Sequence, residues 1–202
     1  MIEKIDTHSV DLSKITPGGW VLDVGCRGFS FARILAEKGL KVVALDPDST
    51  ITDPNITNVF FEQVALVSKP TNNATYATWS TGEGNHICID RPVPSYATPY
   101  QVRCKTINEL MQKYNISQFD IVKLDCEGME FEILPIWPGP ISKQISVEFH
   151  DFTGANTQGP SFYDNFLNHI SQWYDIKIHE IQDHPCGIKG YWDSLFTLKD
   201  NI

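Results

Sequence analysis

The chain has little cysteine, no long apolar run and no surplus of positive charge, and each shortage narrows its role. Its 202 residues include five cysteines: Cys26, Cys88, Cys104, Cys126 and Cys186. The number is odd and no two stand at C-x-x-C spacing. That argues against a zinc site or a disulfide framework and points to a reducing compartment. No stretch approaches the roughly 18 apolar residues needed to span a bilayer, so no membrane partner is expected. The opening MIEKIDTHSV lacks the apolar core of a signal peptide, and a cytoplasmic location is the expectation. The sequons at Asn55, Asn73 and Asn115 are therefore read as chance. Lys and Arg number 16 against 25 Asp and Glu, a formal net charge of −9. Phosphate neutralisation needs the opposite excess, so no nucleic-acid partner is expected. What remains is an ordinary globular composition, 42% hydrophobic and 20% charged. It suits a single domain over residues 1–202 with a buried sheet.

Residues 1–19 read as a short lead-in that ends in the turn Pro17-Gly18-Gly19. Trp20 to Val24 is an apolar run with one acid, bounded by Gly25 and Gly28, which predicts a buried parallel strand and a tight turn. Ser30 stands where a helix cap is expected, Phe31, Ile34 and Leu35 form an apolar face, and Gly39 closes the helix. Lys41 to Leu45 is a second strand. Strand, turn, helix, strand is a βαβ unit. Val59 to Val67 predicts a third strand running past Gln63. Residues 71–105 alternate and contain the glycine loop Thr81-Gly82-Glu83-Gly84, which suggests a small β insertion. Thr106 and Glu109 form a capping box for a helix with Ile107, Leu110, Met111 and Tyr114 on one face. Further strands are expected at Asp120–Asp125, Ile145–Phe149, Tyr174–Ile181 and Leu195–Leu198. A short helix broken by Pro135 and a later one carrying Phe162, Phe166, Ile170 and Trp173 complete the pattern. The fold class is α/β, a doubly wound, mostly parallel sheet.

In such sheets ligands bind at the carboxyl ends of the strands, where strand order reverses. The first strand ends Asp23-Val24-Gly25-Cys26-Arg27-Gly28, and Asp46 closes the second, 21 residues after Gly25. An acid at about 20 residues' distance suits ribose hydroxyls. A dinucleotide site requires a glycine two residues after Gly25, where this chain has Arg27. A nucleoside carrying methionine has no pyrophosphate and brings cationic ammonium and sulfonium groups that favour an acid such as Asp23. The cofactor-binding candidates are therefore Asp23, Gly25, Cys26, Arg27, Gly28, Asp46 and, from the fourth strand, Asp125. Two other readings use the same fold: a catalytically silent nucleoside-binding scaffold, and a nicotinamide-dependent oxidoreductase.

Lys123, Asp125 and Glu127 alternate along the fourth strand and its exit, and Glu148 and His150 alternate on the fifth. Charges crowded at one rim must be paired, protonated or metal-bound. Three arrangements satisfy that requirement. In one, His150 is a general base oriented by Glu127 or Asp125. In another, Asp125, Glu127 and Glu148 hold a divalent cation. In the third, Lys123 pairs with Glu148 as a structural ion pair. His86, after the glycine loop, is read either as a surface residue or as one that reaches the mouth of the site, His184 and Cys186 lack metal-ligand spacing, and Tyr191 or Trp192 is a candidate to stack on an acceptor ring.

Four stretches together, VLDVGCRGFSFARILAEKG, KVVALDPD, KTINELMQKYNISQFDIVKLDCEGMEFEIL and ISVEFH, resemble the FkbM-type methyltransferases. The most specific element is Lys123-Leu124-Asp125-Cys126-Glu127-Gly128-Met129-Glu130, similar to that family's K-I-D-x-E-G-x-E signature. The chain departs from the family at Arg27, where smaller residues are usual, and at Asp46, where Glu is usual. The resemblance implies a Rossmann-like class I methyltransferase with seven strands in the order 3-2-1-4-5-7-6. It further implies S-adenosylmethionine as cofactor and O-methylation of a hydroxyl on a small-molecule or carbohydrate acceptor, with catalytic residues among His150, Glu127, Glu148 and Asp125.

Overall fold

A computed structural model describes all of residues 1–202 except 79–84, 89–91, 94, 151–165, 182–190 and 201. The first residues are more than a lead-in. Strands β1 (Ile2–Ile5) and β2 (His8–Asp11) form an antiparallel hairpin that turns at Asp6 with a positive φ of 56°. Ile5 and Val10 are buried against Val21, Phe31 and Val42. Each strand is four residues long, too short for alternation to stand out beside Glu3 and Lys4. The hairpin is moored by Gln144, whose side-chain carbonyl accepts from Asp11 N at 2.7 Å and whose amide donates to Asp11 O at 3.1 Å.

The main sheet contains β3 (Trp20–Val24), β4 (Lys41–Leu45), β5 (Val59–Glu62), β10 (Ile121–Leu124), β11 (Gln144–His150), β12 (Tyr174–Ile181) and β13 (Tyr191–Leu198). Its order is β12-β13-β11-β10-β3-β4-β5, and the sheet is mixed. Neighbours from β5 through β11 pair in parallel, while β13 runs antiparallel to both β11 and β12. Counted in the sheet's own chain order this reads 3-2-1-4-5-7-6. Strand order reverses between β3 and β10, which opens a crevice at their carboxyl ends.

Helices lie on both faces. On one, α1 (Ser30–Glu37) packs Phe31 and Leu35 over Val21 and Val42. Ser30 does not cap it. The N-cap is Phe29, left-handed at φ 58° with no side-chain cap bond. Its ring instead stands edge-on to Phe61 at 5.3 Å. On the other face, α2 (Ile107–Tyr114) and α3 (Glu130–Ile133) place Leu110 and Ile133 over Leu22, Val43 and Val122. Pro135 follows in a 3-10 turn, Leu134–Ile136. Phe162 lies outside the described residues, while Phe166 and Ile170 are buried on a helical segment at 166–170.

The strand expected from Val59 to Val67 breaks at Gln63. Val64 N bonds back to Glu62 O at 2.9 Å, and the Gln63 amide turns toward the carbonyls of Asp48 and Ile51. The side chain thereby serves a loop in place of the sheet, and the backbone is free to change direction. β6 (Ala65–Leu66) then joins a second sheet with β7 (Asn73–Thr78), β8 (His86–Cys88) and β9 (Thr98–Lys105), in the order β6-β9-β7-β8. This small sheet stands over the carboxyl end of β4. The glycine loop Thr81–Gly84 lies outside the described residues.

The capping box of α2 is complete: Thr106 accepts from Glu109 N, and the Glu109 carboxylate accepts from Thr106 N at 2.7 Å. Thr106→Ala should therefore cost about 1 kcal/mol, read as a lowered midpoint of urea unfolding with an unchanged slope.

Candidate active site

A cavity of about 140 Å³ opens where strand order reverses, between the carboxyl ends of the main sheet and the small sheet. Gly25, Arg27, Asp46, Asp125 and Glu127 line it, with Ile51, Val64, Ala65, Leu66 and Tyr76 as apolar walls. The turn after β3 begins with Gly25 N and Cys26 N both donating to Leu45 O, at 2.9 and 3.2 Å. Gly25 is left-handed at φ +75°, and a Cβ there would come within 1.8 Å of Asp125 O. The glycine is thus required by the neighbouring chain after β10 as it crosses the turn. Cys26 is buried and burial pushes its thiol well above the usual range, so it is no nucleophile. Cys26, Cys88, Cys104 and Cys126 are all free thiols.

Asp46 sits at the mouth of β4, 6% exposed. One of its oxygens accepts from Asp48 N at 2.9 Å. Burial pushes its carboxyl up to about 6, against the pull of that hydrogen bond. Asp23 does not reach the cavity wall. It is fully buried, and its Oδ1 lies 3.1 Å from Lys123 Nζ. The pairing follows from register, since Lys123 of β10 lies directly across from Asp23 of β3, whereas on β11 it faces Ser146. That is why Lys123 does not pair with Glu148. Its ammonium also donates to Gly25 O at 2.8 Å and Val24 O at 3.3 Å, and lies 3.4 Å from Asp125 Oδ2. Burial opposes its charge, but Asp23 and Asp125 outweigh burial and hold the ammonium above its ordinary range. Lys123 in turn keeps Asp125 ionised despite burial.

Asp125, Glu127, Glu148 and His150 do converge. His150 Nε2 lies 3.7 Å from Asp125 Oδ1, 3.7 Å from Glu127 Oε2 and 3.9 Å from Glu148 Oε1. Its Nδ1 is 3.3 Å from Glu130 Oε1. Burial disfavours the imidazolium, yet the bond to Glu130 and the fields of Glu130, Glu127 and Asp125 lift it to about 10. His150 is 5% exposed and is not part of the cavity wall. Glu127 is on that wall. Burial, reinforced by Asp125, Glu130 and Glu148, pushes its carboxyl up to about 7 against the pull of His150. Burial and Asp125 do the same to Glu148, also to about 7.

Two site members were not singled out from sequence. Glu130, 0% exposed, closes the turn Asp125-Cys126-Glu127-Gly128 by accepting from Cys126 N at 2.7 Å and Gly128 N at 2.8 Å. Its place as the last acid of the quoted signature was the available signal. His8, from the hairpin, carried no such signal. It is 1% exposed and its Nε2 lies 3.6 Å from Asp125 Oδ2. Of the two readings of His86, the structure bears out the one at the site: it lines the cavity. Trp192 stacks on Phe149 at 5.1 Å and 19°.

A family model described as the methyltransferase FkbM domain matches residues 24–175. No curated protein matches the chain in sequence. Among solved structures, a dimethyladenosine transferase from Plasmodium falciparum is 12% identical over 93% of this chain and 58% of its own, with a TM-score of 0.49. This chain thus spans less than two thirds of that protein's length. A magnesium protoporphyrin IX methyltransferase from Synechocystis, solved with bound SAH, is 10% identical over 91% of this chain and 75% of its own, TM-score 0.49. A TehB-like SAM-dependent methyltransferase from Corynebacterium glutamicum is 13% identical over 93% and 84%, TM-score 0.43. These likenesses select no class of acceptor, nucleic acids included. Among the described residues, no helix is long and apolar enough to cross a membrane.

The Asp23–Lys123 pair sets a stability test. Lys123→Met leaves a carboxylate buried without its partner and should cost about 3–5 kcal/mol. Adding Asp23→Leu removes the stranded charge, so the double variant should unfold at higher denaturant than the single one.

Proposed function

This chain belongs to the FkbM methyltransferase family, whose methyl donor is S-adenosylmethionine, and we propose that it methylates a hydroxyl of a small molecule or sugar. The observation that carries this reading is a cavity whose lining combines Asp46, Asp125 and Glu127 with apolar walls. The residues present fit the donor. Asp46 is a nearly buried carboxylate that can accept from vicinal ribose hydroxyls. Ile51, Val64, Ala65 and Leu66 offer apolar surface to a flat base. Ionised Asp125 supplies negative potential for a cationic end. Bound there, S-adenosylmethionine supplies an electrophilic methyl on a sulfonium that departs as a neutral thioether, so no acid is needed for the leaving group.

The chain's own task is to position the acceptor and remove its proton. We assign the proton to Glu127, whose carboxylate lies on the cavity wall and is 28% exposed. His150, held behind it by Glu130, acts as a positioning residue that balances Glu127's charge. The backbone supports this assignment. Glu127 is a non-glycine residue at φ 54°, a left-handed conformation that costs on the order of 1–3 kcal/mol and persists only where surroundings enforce it. Here Glu130 enforces it from both sides of the turn.

Calorimetric titration with S-adenosylmethionine or S-adenosylhomocysteine tests the donor site. Asp46→Ala should weaken binding by about 1–3 kcal/mol through lost ribose hydrogen bonds. A wild-type chain that binds neither compound at millimolar concentration would sink the reading. A mass-spectrometric screen of sugars and hydroxylated metabolites identifies the acceptor. With that acceptor, Glu127→Gln should lower kcat about 100-fold or more while donor affinity holds. A loss confined to donor affinity would take the proton-accepting role away from Glu127.

A further inference from the structure

Beside the cavity, carboxylates outnumber the cations paired with them. Asp23, Asp125, Glu127, Glu130 and Glu148 gather around one lysine and two histidines. Lys123 is committed to Asp23 and two backbone carbonyls. His8 stands out among the cations of this group. It is 1% exposed, and neither of its ring nitrogens has a hydrogen-bond partner. A buried imidazole left in that state is costly, and buried polar groups in folded proteins are ordinarily satisfied. Its Nε2 is aimed at Asp125 Oδ2 across 3.6 Å, well beyond the roughly 2.7–2.9 Å of a charge-assisted hydrogen bond.

We propose that Nε2 of His8 and the carboxylates of Asp125 and Glu148 form a binding site for a divalent transition-metal ion. One donor atom from each of these residues falls within 4.8 Å of the other two. Bonds of about 2.1 Å to a central ion would set adjacent donors about 3.0–3.4 Å apart, a contraction from the 3.6 Å between His8 Nε2 and Asp125 Oδ2 and from the 4.8 Å that bounds the whole set. The mixed nitrogen and oxygen set suits Mn²⁺, Fe²⁺ or Zn²⁺ better than Mg²⁺ or Ca²⁺, which prefer all-oxygen shells. Asp125 is 27% exposed and lines the cavity, so an entry path exists and an open coordination position can face an acceptor hydroxyl. Lys123, 3.4 Å from the same Asp125 oxygen, approaches from the Asp23 side. Asp125, Glu127 and His150 make a second, adjacent donor set. In that set His150 already has Glu130 as a partner, whereas neither ring nitrogen of His8 makes a hydrogen bond. Use of the ion in catalysis rests on the methyl-transfer reading; the binding of the ion does not.

The test is titration of the chelator-stripped full chain with Mn²⁺ alone, followed by the loss of the free-ion electron paramagnetic resonance signal. One ion per chain is expected. His8→Ala and the near-isosteric Glu148→Gln should each weaken Mn²⁺ at least about tenfold, with S-adenosylhomocysteine affinity kept. No Mn²⁺ uptake by wild type overturns the site, whether or not the nucleoside binds. So does uptake unchanged in both variants. A loss in His150→Ala with His8→Ala unaffected would move the ion to the neighbouring set and overturn this assignment.

Discussion

One buried ammonium organises the carboxyl edge of the sheet. Lys123 reaches from β10 to the Asp23 carboxylate and to the carbonyls of Val24 and Gly25, and so ties the fourth strand of the sheet to the turn after the first. A charge this deep is tolerable because a carboxylate pairs with it and two carbonyls accept from it. The same ammonium holds Asp125 ionised at the cavity wall. The glycine turn, the position of Asp125 and the negative potential of the cavity thus depend on one side chain that never touches the cavity itself.

Around that anchor, Asp125, Glu127, Glu130 and Glu148 gather on His150. Glu130 serves as a second anchor, stitching Cys126 N and Gly128 N into a turn and presenting its remaining capacity to His150. The strained Glu127 is the product of that stitching. The apolar end of the cavity is built differently. It comes from the break at Gln63, which sends β6 out of the main sheet and lays a second sheet over Asp46.

Much of this was legible from residues alone where the signal is local. The β3 run with its glycine turn, the capping box at Thr106 and Glu109, and the alternation of Asp125 with Glu127 and of Glu148 with His150 all depend on neighbours a few positions away. Local signals failed at Ser30, where a cap was expected: Phe29 takes the N-cap position, and its ring packs edge-on to Phe61, a partner far along the chain. They failed at Gln63 because its loop partners, Asp48 and Ile51, lie more than ten positions back. His8 was invisible for the same reason on a larger scale: nothing near it in the chain hints at Asp125.

The sequence by itself determined the kind of molecule this is, since periodicity, glycine placement and a signature of acids are written in contiguous residues. The tertiary structure decided who meets whom. Register across parallel strands gave Lys123 to Asp23 in preference to Glu148, and a short hairpin docked by Gln144 carried His8 to the rim. Pairing across strands is a property of burial and register summed over the whole sheet, and no window along the chain contains that sum.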